Sequence, residues 1–516
     1  VDSLFNRIAA GYKTVLSFAL KHAVLVIIVS LVIFAVSLGI LTLLRKEFVP
    51  PQDQSMFMCS LQTPPGSSLQ FTDERVREVE AFVKSRPETL RFFVAVGGFS
   101  GGDVTGANMF VTLKPPKDRP LVKGRRLSQK DLMDIFRKEL NKIKGIKTRI
   151  QDLSLSGFSS QRGFPIEFSI RGPEWDKLVE YEAILESKME KSGMMVDVDS
   201  DYKPGASEIQ VIPDRLKAQA RGVSMDAIGE AVNVMIGGSA VAKYSSGASR
   251  YDVRVRLDAG QRVKPEDIDN IFVANNRGER VPLKEVITIT QKATAQSITR
   301  RGRERAISMF ANVAPGKAQA DAINAAEKIT RETLPEPYRA VLGGSAQTFK
   351  DSSSGIGIVF LLGIIVAYMV LGSQYNSFLH PFIVLLALPF SISGAFMGLL
   401  IGGQSLNLYS MIGLILLMGI VKKNSIMLVD FTNQVRAEGK GVHEALETAC
   451  PIRLRPILMT SLATIAAAIP PALAIGPGAE VRIPMSVTVI GGVIVSTFFT
   501  LFVVPCVYRL TVRDAR

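Results

Sequence analysis

Gly419-Ile420-Val421-Lys422-Lys423-Asn424-Ser425-Ile426-Met427-Leu428-Val429-Asp430 sets two lysines and an amide inside an apolar run of about 408 to 431. A run of roughly 20 such residues is what a helix needs to cross a bilayer. A lysine near the centre of such a helix costs about 2.5 to 3.5 kcal/mol, so it needs a charge partner, a wet cavity or a route to the membrane edge. Snorkelling toward the interface is open to both lysines. At Lys423 the neighbouring Asn424 extends the polar face, which favours a function for that residue.

Five further apolar runs, approximately 23 to 44, 353 to 372, 382 to 401, 456 to 475 and 484 to 510, have spanning length. The first is too long for a cleaved signal peptide, has no small-residue cleavage site and follows an amphipathic stretch, so it reads as a true span. Arg436, Lys440, Arg453 and Arg455 follow the 408 to 431 run, and Arg509, Arg513 and Arg516 end the chain, whereas Gly402 to Asn407 carry no charge. The positive-inside rule therefore expects both termini in the cytoplasm and the long insert, about 46 to 350, on the far side. Residues 4 to 20 carry an apolar stripe (Leu4, Phe5, Ile8, Tyr12, Val15, Leu16) against Arg7 and Lys13. Such a stripe suits a helix lying on membrane lipid or one packing on its own protein.

Composition agrees with apolar blocks alternating with polar domains. Of 516 residues 47% are hydrophobic and 21% charged, with a mean hydropathy of +0.23. Disorder, collagen and a small disulfide scaffold are excluded. The net charge of +14 with one Trp and long apolar blocks points to a membrane protein with basic flanks and not to a nucleic-acid binder. Cys59, Cys450 and Cys506 are too few and too scattered for a zinc site or a disulfide framework.

The insert alternates strand and helix signals. Strands are expected near 56–61, 92–96, 109–113 and 148–153, with helices at 72–84 (Thr72 near its cap) and 128–142. A second unit has strands near 165–170 and 195–198 around a helix from Trp175 to Lys191, then a strand to Asn312, a helix at 321–334 and a strand near 340–342. Alternation of this kind gives an α+β sandwich with helices on one face of a small sheet. Between these pieces lie two short helices closed by Gly222 and by Gly237 with Gly238, then hairpin-like strands at 251–257 and 271–273. The turn Asn275-Asn276-Arg277-Gly278 suits a protruding hairpin tip.

Lys423 has no obvious partner within the chain. Asp430 is seven residues, about 10 Å, along the axis at the cytoplasmic end. Asp351, Glu47 and Glu480 lie at the opposite membrane face, so the counter-charge is expected from another polypeptide. Arg453 and Thr460, seven apart, share one helix face. Thr460 could relay a proton or orient water toward Lys423, or bond its own helix backbone. Gly394 and Gly398 mark close helix packing. His22, His380 and His443 have no metal-ligand spacing, and no metal site is expected. With no nucleotide-binding loop and no nucleophile elbow, the chain does not read as an enzyme, and transport would draw on an ion gradient with no further cofactor.

Together, Gly-Ile-Val-Lys-Lys-Asn-Ser-Ile-Met-Leu-Val-Asp-Phe (419–431), Arg-Leu-Arg-Pro-Ile-Leu-Met-Thr-Ser-Leu (453–462) and the order of spans and insert strongly resemble the carboxyl-terminal half of resistance-nodulation-division (RND) efflux transporters, over essentially the whole chain. The likeness is greatest to the hydrophobe/amphiphile multidrug branch, since methionine and acidic sites usual in heavy-metal exporters are not located. The resemblance implies a six-helix transmembrane bundle with a periplasmic α+β, ferredoxin-like βαβ porter and docking insert, in a bacterial inner membrane. Its implied parts are an interfacial helix at 1–22, a first span at 23–44, a first porter subdomain at 45–160 and a second at 161–213 with 298–350. A funnel or docking subdomain would occupy 214–297, the five-helix bundle 351–510 and a cytoplasmic tail 511–516.

The same resemblance assigns Lys423, Arg453 and Thr460 to a proton relay, Phe99 and Phe110 to a drug pocket, Gly97, Gly98, Gly101 and Gly102 to its flexible loop, and 275–278 to docking. Plain core packing is the alternative for both phenylalanines. The implied partners are an amino-terminal half carrying an intramembrane Asp pair, a trimer, a periplasmic adaptor, an outer-membrane channel and amphiphilic small molecules. The initial Val suggests a cut fragment or a separately encoded half. Two other functions compete. Six-span protein-export accessory subunits of the superfamily carry an acidic residue where Lys423 and Asn424 stand, and an orphan half could act as a non-transporting membrane scaffold or sensor.

Overall fold

The computed structural model describes residues 2–97, 104–154, 163–203, 207–293, 298–473 and 478–512. They form two compact units, Val1–Asp201 with Thr299–Arg516, and Tyr202–Ile298. Helix α1 (Asp2–Lys21) breaks at His22, and α2 (Ala23–Leu43) follows. Tyr12, Leu16, Ala19 and Leu20 of α1 are buried against the bundle, with Tyr12 Oη donating to the Leu501 carbonyl at 2.8 Å. Ile8, Val15 and Phe18 remain exposed, so the apolar residues divide between protein packing and an outward face.

After α2 come β1 (Met56–Gln62), α3 (Leu69–Ser85), β2 (Thr89–Val96), β3 (Gly106–Leu113), the small hairpin β4 (Leu121–Val122) and β5 (Arg125–Arg126), α4 (Gln129–Leu140) and β6 (Lys147–Asp152). The four long strands order as β2-β3-β1-β6, all neighbours antiparallel. Alternation sends Phe57, Cys59, Leu61, Met109, Val111 and Ile150 to a core shared with Val76, Val79, Leu132 and Phe136 of the two helices. The opposite sheet face carries no helix from this layer. Ser68, and not Thr72, caps α3, its Oγ accepting from Phe71 N; Thr72 sits one turn in and bonds back to the Ser68 carbonyl. Asp53, just before β1, receives two bonds of 2.6 Å from Arg119 and one from Gln129 N. Burial raises its carboxyl pKa, but these donors outweigh it and hold the group below the usual carboxylate range.

The next layer begins with β7 (Ile166–Gly172), α5 (Trp175–Lys191) and β8 (Met195–Ser200). The chain then enters the second unit: β9 (Ser207–Pro213), α6 (Arg215–Arg221), α7 (Met225–Val232), β10 (Ser239–Ser246), β11 (Ser249–Val255), β12 (Phe272–Ala274), β13 (Arg280–Pro282) and β14 (Ile287–Ala293). Its core gathers Ala218, Val223, Ile228, Val273, Val281 and Leu283. Two expectations are corrected here. The unit takes in residues before 214, because β9 pairs along its whole length with β14. The strand at 251–257 pairs with β10 and not with 271–273, which instead pairs with β13.

The first unit resumes with β15 (Arg300–Arg301), β16 (Glu304–Val313), α8 (Gln319–Thr333) and β17 (Arg339–Leu342). β16 lies between β7 and β8, and β17 pairs with the other side of β7. Arg149 of β6 with Asp199 at 2.7 Å and Arg137 of α4 with Asp197 at 2.8 Å, largely buried, join the first layer to β8 of the second.

Helices α9 (Gly344–Tyr375), α10 (Leu379–Leu385), α11 (Ala387–Ile401), α12 (Leu408–Ala437), α13 (Val442–Ala472) and α14 (Ala479–Thr511) complete the chain. Among the described residues six helical segments, α2, α9, α10 with α11, α12, α13 and α14, are long and apolar enough to cross a membrane. Asn407 starts α12, its Oδ1 accepting from Tyr409 N and Ser410 N at 3.0 Å. The connection after α2 binds both this corner and α8: Leu406 N donates to Arg45 O, Leu408 N to Phe48 O, and Ala320 N to Lys46 O. Gln319 extends the joint, accepting from Phe48 N and donating to Pro165 O, each at 2.8 Å.

Helix α14 presses on α11 through glycines. A Cβ on Gly491 would lie 2.5 Å from Gly394 O and 2.9 Å from Gly398 Cα, which accounts for the Gly394/Gly398 spacing. Gly491→Ala is expected to lower the melting temperature in detergent, by the equivalent of about 1 to 3 kcal/mol for overpacking. Gly11→Ala, inside α1 where nothing lies within 4 Å, should not lower it.

Candidate functional site

The capped start of α12 fixes the register that brings Lys423 and Asn424 to α13 and α14. There a cavity of about 380 Å³ is lined by Lys423, Asn424, Thr460, Ser461, Thr464 and Ser496, with apolar walls from Leu416, Ile420, Val421 and Val493. Lys423 is exposed to it, and no carboxylate lines it. No ion pair of Lys423 is found among the described residues. Thr460 Oγ1 reaches Asn424 Oδ1 at 3.3 Å and its own helix at Ile457 O at 3.1 Å. That hydroxyl thus has one acceptor on α12 and one on its own helix. Asn424 Nδ2 donates to Ser461 Oγ at 3.2 Å, and Ser461 Oγ pairs with Thr497 Oγ1 at 2.8 Å.

Of the three residues expected to form a relay, the structure brings together Lys423 and Thr460. Arg453 stands apart. Its guanidinium lies 4.1 Å from the centre of the Phe431 ring, and its Nε has no hydrogen-bond partner. Two turns of α13 and Pro456 separate it from Thr460. Lys422 does not line the cavity and is partly buried. Asn424, Ser461, Thr464, Ser496 and Thr497 were not singled out from sequence as site residues. The signal for Asn424 was its place beside a costly lysine; isolated serines and threonines in apolar helices give none.

A second feature lies on the face of the first sheet opposite α3 and α4. Phe110 pairs directly with Phe93 on β2 and with Met58 on β1, and Met58 pairs with Gln151 on β6. These four side chains form one row across the sheet, opposite to the core face that holds Met109 and Val111. Phe93 is 58% exposed. Phe110 itself is half-buried and lies outside the core cluster of this layer. Gly97 follows β2 with φ +85, a left-handed conformation suited to glycine, and its N–H donates to Gly106 O. Gly98, Phe99, Gly101 and Gly102 lie outside the described residues.

In the second unit, Asn275, Asn276, Arg277 and Gly278 form the turn between β12 and β13, with Gly278 at φ +80. Asn275 Oδ1 accepts from Arg277 N and Glu279 N, and Asn276 N donates to Gly222 O, all at 2.9 Å. The tip is exposed yet braced on the end of α6. Among the described residues no three His, Cys, Asp or Glu side chains cluster as a metal site.

A family description, AcrB/AcrD/AcrF, matches residues 1–512. Multidrug resistance protein MdtC of Escherichia coli (strain UTI89 / UPEC) is 29% identical over 516 residues, covering 98% of this chain and 49% of that protein. MdtC of Cronobacter sakazakii (strain ATCC BAA-894) is 28% identical over 526 residues, covering 100% and 50%. A crystal structure of a heavy metal efflux pump superposes with a TM-score of 0.88 at 22% identity, over 98% of this chain and 52% of that one. At that identity the likeness speaks for the fold alone. The chain spans about half the length of the curated relatives it matches.

Proposed function

The chain belongs to the AcrB/AcrD/AcrF family, and on that premise we propose that it is the carboxyl-terminal half of a proton-driven RND antiporter for amphiphilic compounds. The observation that carries this is Lys423, exposed in a cavity between apolar helices that offers hydroxyls and an amide but no carboxylate. In this reading the counter-charge of that cation comes from outside the chain. Carboxylates on an amino-terminal half would complete it, and their protonation would change the charge that Lys423 faces. Thr460 stands at the same cavity as a hydroxyl able to pass or orient a proton. Arg453 joins in this reading only through the cytoplasmic end of α13, as a basic entrance group above Phe431.

In the same reading both termini are cytoplasmic in a bacterial inner membrane. The two sheets and the 202–298 unit are periplasmic, the former as ferredoxin-like porter layers and the latter as a docking subdomain with its 275–278 turn at the contact. A trimer, a periplasmic adaptor and an outer-membrane channel complete the route. The Phe93–Phe110–Met58 row offers substrates an aromatic and thioether surface.

Phe93→Ala and Phe110→Ala are expected to change apparent affinity by about two- to tenfold, unevenly between compounds. Melting temperatures should stay close to the parent, because neither ring supports the core. Resistance assays with a panel of amphiphilic dyes and with silver and zinc salts check both substrate class and site. Uniform loss with poor folding would reinstate core packing, and protection against the salts alone would replace amphiphiles with metal ions.

The coupling itself is tested by reconstituting the assembled two-half transporter and imposing a proton gradient. Gradient-dependent movement of ethidium, an amphiphilic cation, is expected. Movement indifferent to the gradient would overturn the antiport reading.

A further inference from the structure

We infer, resting on the relay reading above, that Asn424, Ser461 and Thr497 are positioning residues that set the direction of the Thr460 hydroxyl and tie it to α14. The three residues come from three helices and are 7%, 5% and 8% exposed. They form one chain: Thr460 Oγ1 to Asn424 Oδ1 (3.3 Å), Asn424 Nδ2 to Ser461 Oγ (3.2 Å), and Ser461 Oγ with Thr497 Oγ1 (2.8 Å).

Donor arithmetic gives this chain two states. Thr460 has one hydroxyl proton and two acceptors in reach, Asn424 Oδ1 and Ile457 O, so a bond to one excludes the other. With the Asn424 oxygen toward Thr460, the hydroxyl can donate across helices. Rotating the amide by half a turn presents Nδ2 instead, and Thr460 then accepts from Asn424 and donates to its own backbone. The same rotation presents Oδ1 to Ser461, whose hydroxyl turns from acceptor to donor, and Thr497 must in turn donate to Ser461. Where Ser461 donates to Thr497 in the first arrangement, that bond reverses with the amide, because a serine or threonine hydroxyl can serve either way whereas an amide has a fixed donor end. The orientation of Asn424 thus links the hydroxyl at the Lys423 cavity with α14, the helix that meets α11, α12 and α13.

Two buried hydroxyls support a second hydrogen-bond arrangement. Ser425 Oγ, beside Asn424, and Thr500 Oγ1, one turn beyond Thr497, have no hydrogen-bond partner. Both residues are essentially closed to solvent, at 0% and 1% exposure. Buried polar groups are nearly always paired, so spare hydroxyls next to Asn424 in sequence and one turn from Thr497 are groups that a rearranged state can engage.

The test uses the assembled two-half transporter in proteoliposomes, with ethidium transport measured across a series of pH values under a fixed gradient. Thr497→Val, which keeps the side-chain shape and removes the hydroxyl, is expected to slow transport about five- to tenfold and to move the pH of half-maximal rate. Thr497→Ser should restore most of the rate and the original profile. Ser461→Ala, at the middle of the chain, should reproduce the Val result and serves should Thr497→Val fail to assemble. An unchanged pH profile in both variants, with only a lower melting temperature, would reduce these bonds to helix packing and overturn the inference. So would equal loss in Thr497→Ser and Thr497→Val. Lys423→Ala is measured alongside: if it alone is inactive, only the positioning role fails, whereas coupled transport retained by Lys423→Ala removes the relay reading itself.

Discussion

Lys423→Ala in the assembled transporter should abolish proton-coupled efflux while leaving expression and assembly near normal. Lys423 faces a cavity without a carboxylate, so its removal leaves the chain's own packing intact and deprives external carboxylates of their cation. A membrane-embedded charge interaction worth about 3 kcal/mol corresponds to roughly a hundredfold in rate, which is the least loss expected. Lys422→Ala should keep most of the activity, because that residue does not line the cavity. Thr460→Ala should fall between the two: it removes a hydroxyl that bonds Asn424 but not the charge. Efflux by Lys423→Ala equal to the parent, measured with ethidium in cells of matched expression, would sink the assignment.

The apolar spans were legible because their energetic requirement is local: a spanning helix must be apolar along most of its length. Lys423 and Thr460 were legible for the complementary reason, as polar groups where each has a cost. The Ser461–Thr497 bond was not, since it depends on the register of α13 against α14, and a hydroxyl in an apolar helix ordinarily bonds its own backbone. Arg453 shows the limit of helix-face spacing. Sharing a helix face with Thr460 did not bring it to the cavity, because two turns of rise separate them and Phe431 holds the guanidinium.

Soluble elements divide in the same way. The helix Trp175–Lys191 stands at its expected bounds, its apolar stripe and the charged flanks being local signals. β10 was missed since it is small-residue-rich and exposed with its partner β11, so burial imposes no strong alternation. β9 and β14 were separated because their pairing joins distant parts of the chain, which no local pattern reveals. Phe92 and Phe93 illustrate what alternation can and cannot give. Their opposite faces follow from the strand period, but which face the helices cover follows only from the packed layer, where Phe92 joins the core and Phe93 lies across from Phe110.

Residues 1–516 by themselves are expected to show no proton-coupled drug movement in liposomes. An antiport cycle needs a group that gains and loses a proton and a charge pair that rearranges when it does. Lys423 supplies one side of such a pair, but the lining of its cavity supplies only amide and hydroxyl groups as company. Its cost in an apolar helix is thereby left without a charge partner among the described residues of the cavity lining. Adding an amino-terminal half that carries acidic residues in its own fourth span should restore gradient-driven ethidium transport, with loss again when Lys423 is replaced. The same vesicles containing pyranine inside report proton movement independently of substrate. Robust drug-coupled proton flux from residues 1–516 without the second half would mean that the lysine cycles by itself, and would refute a relay divided between two halves.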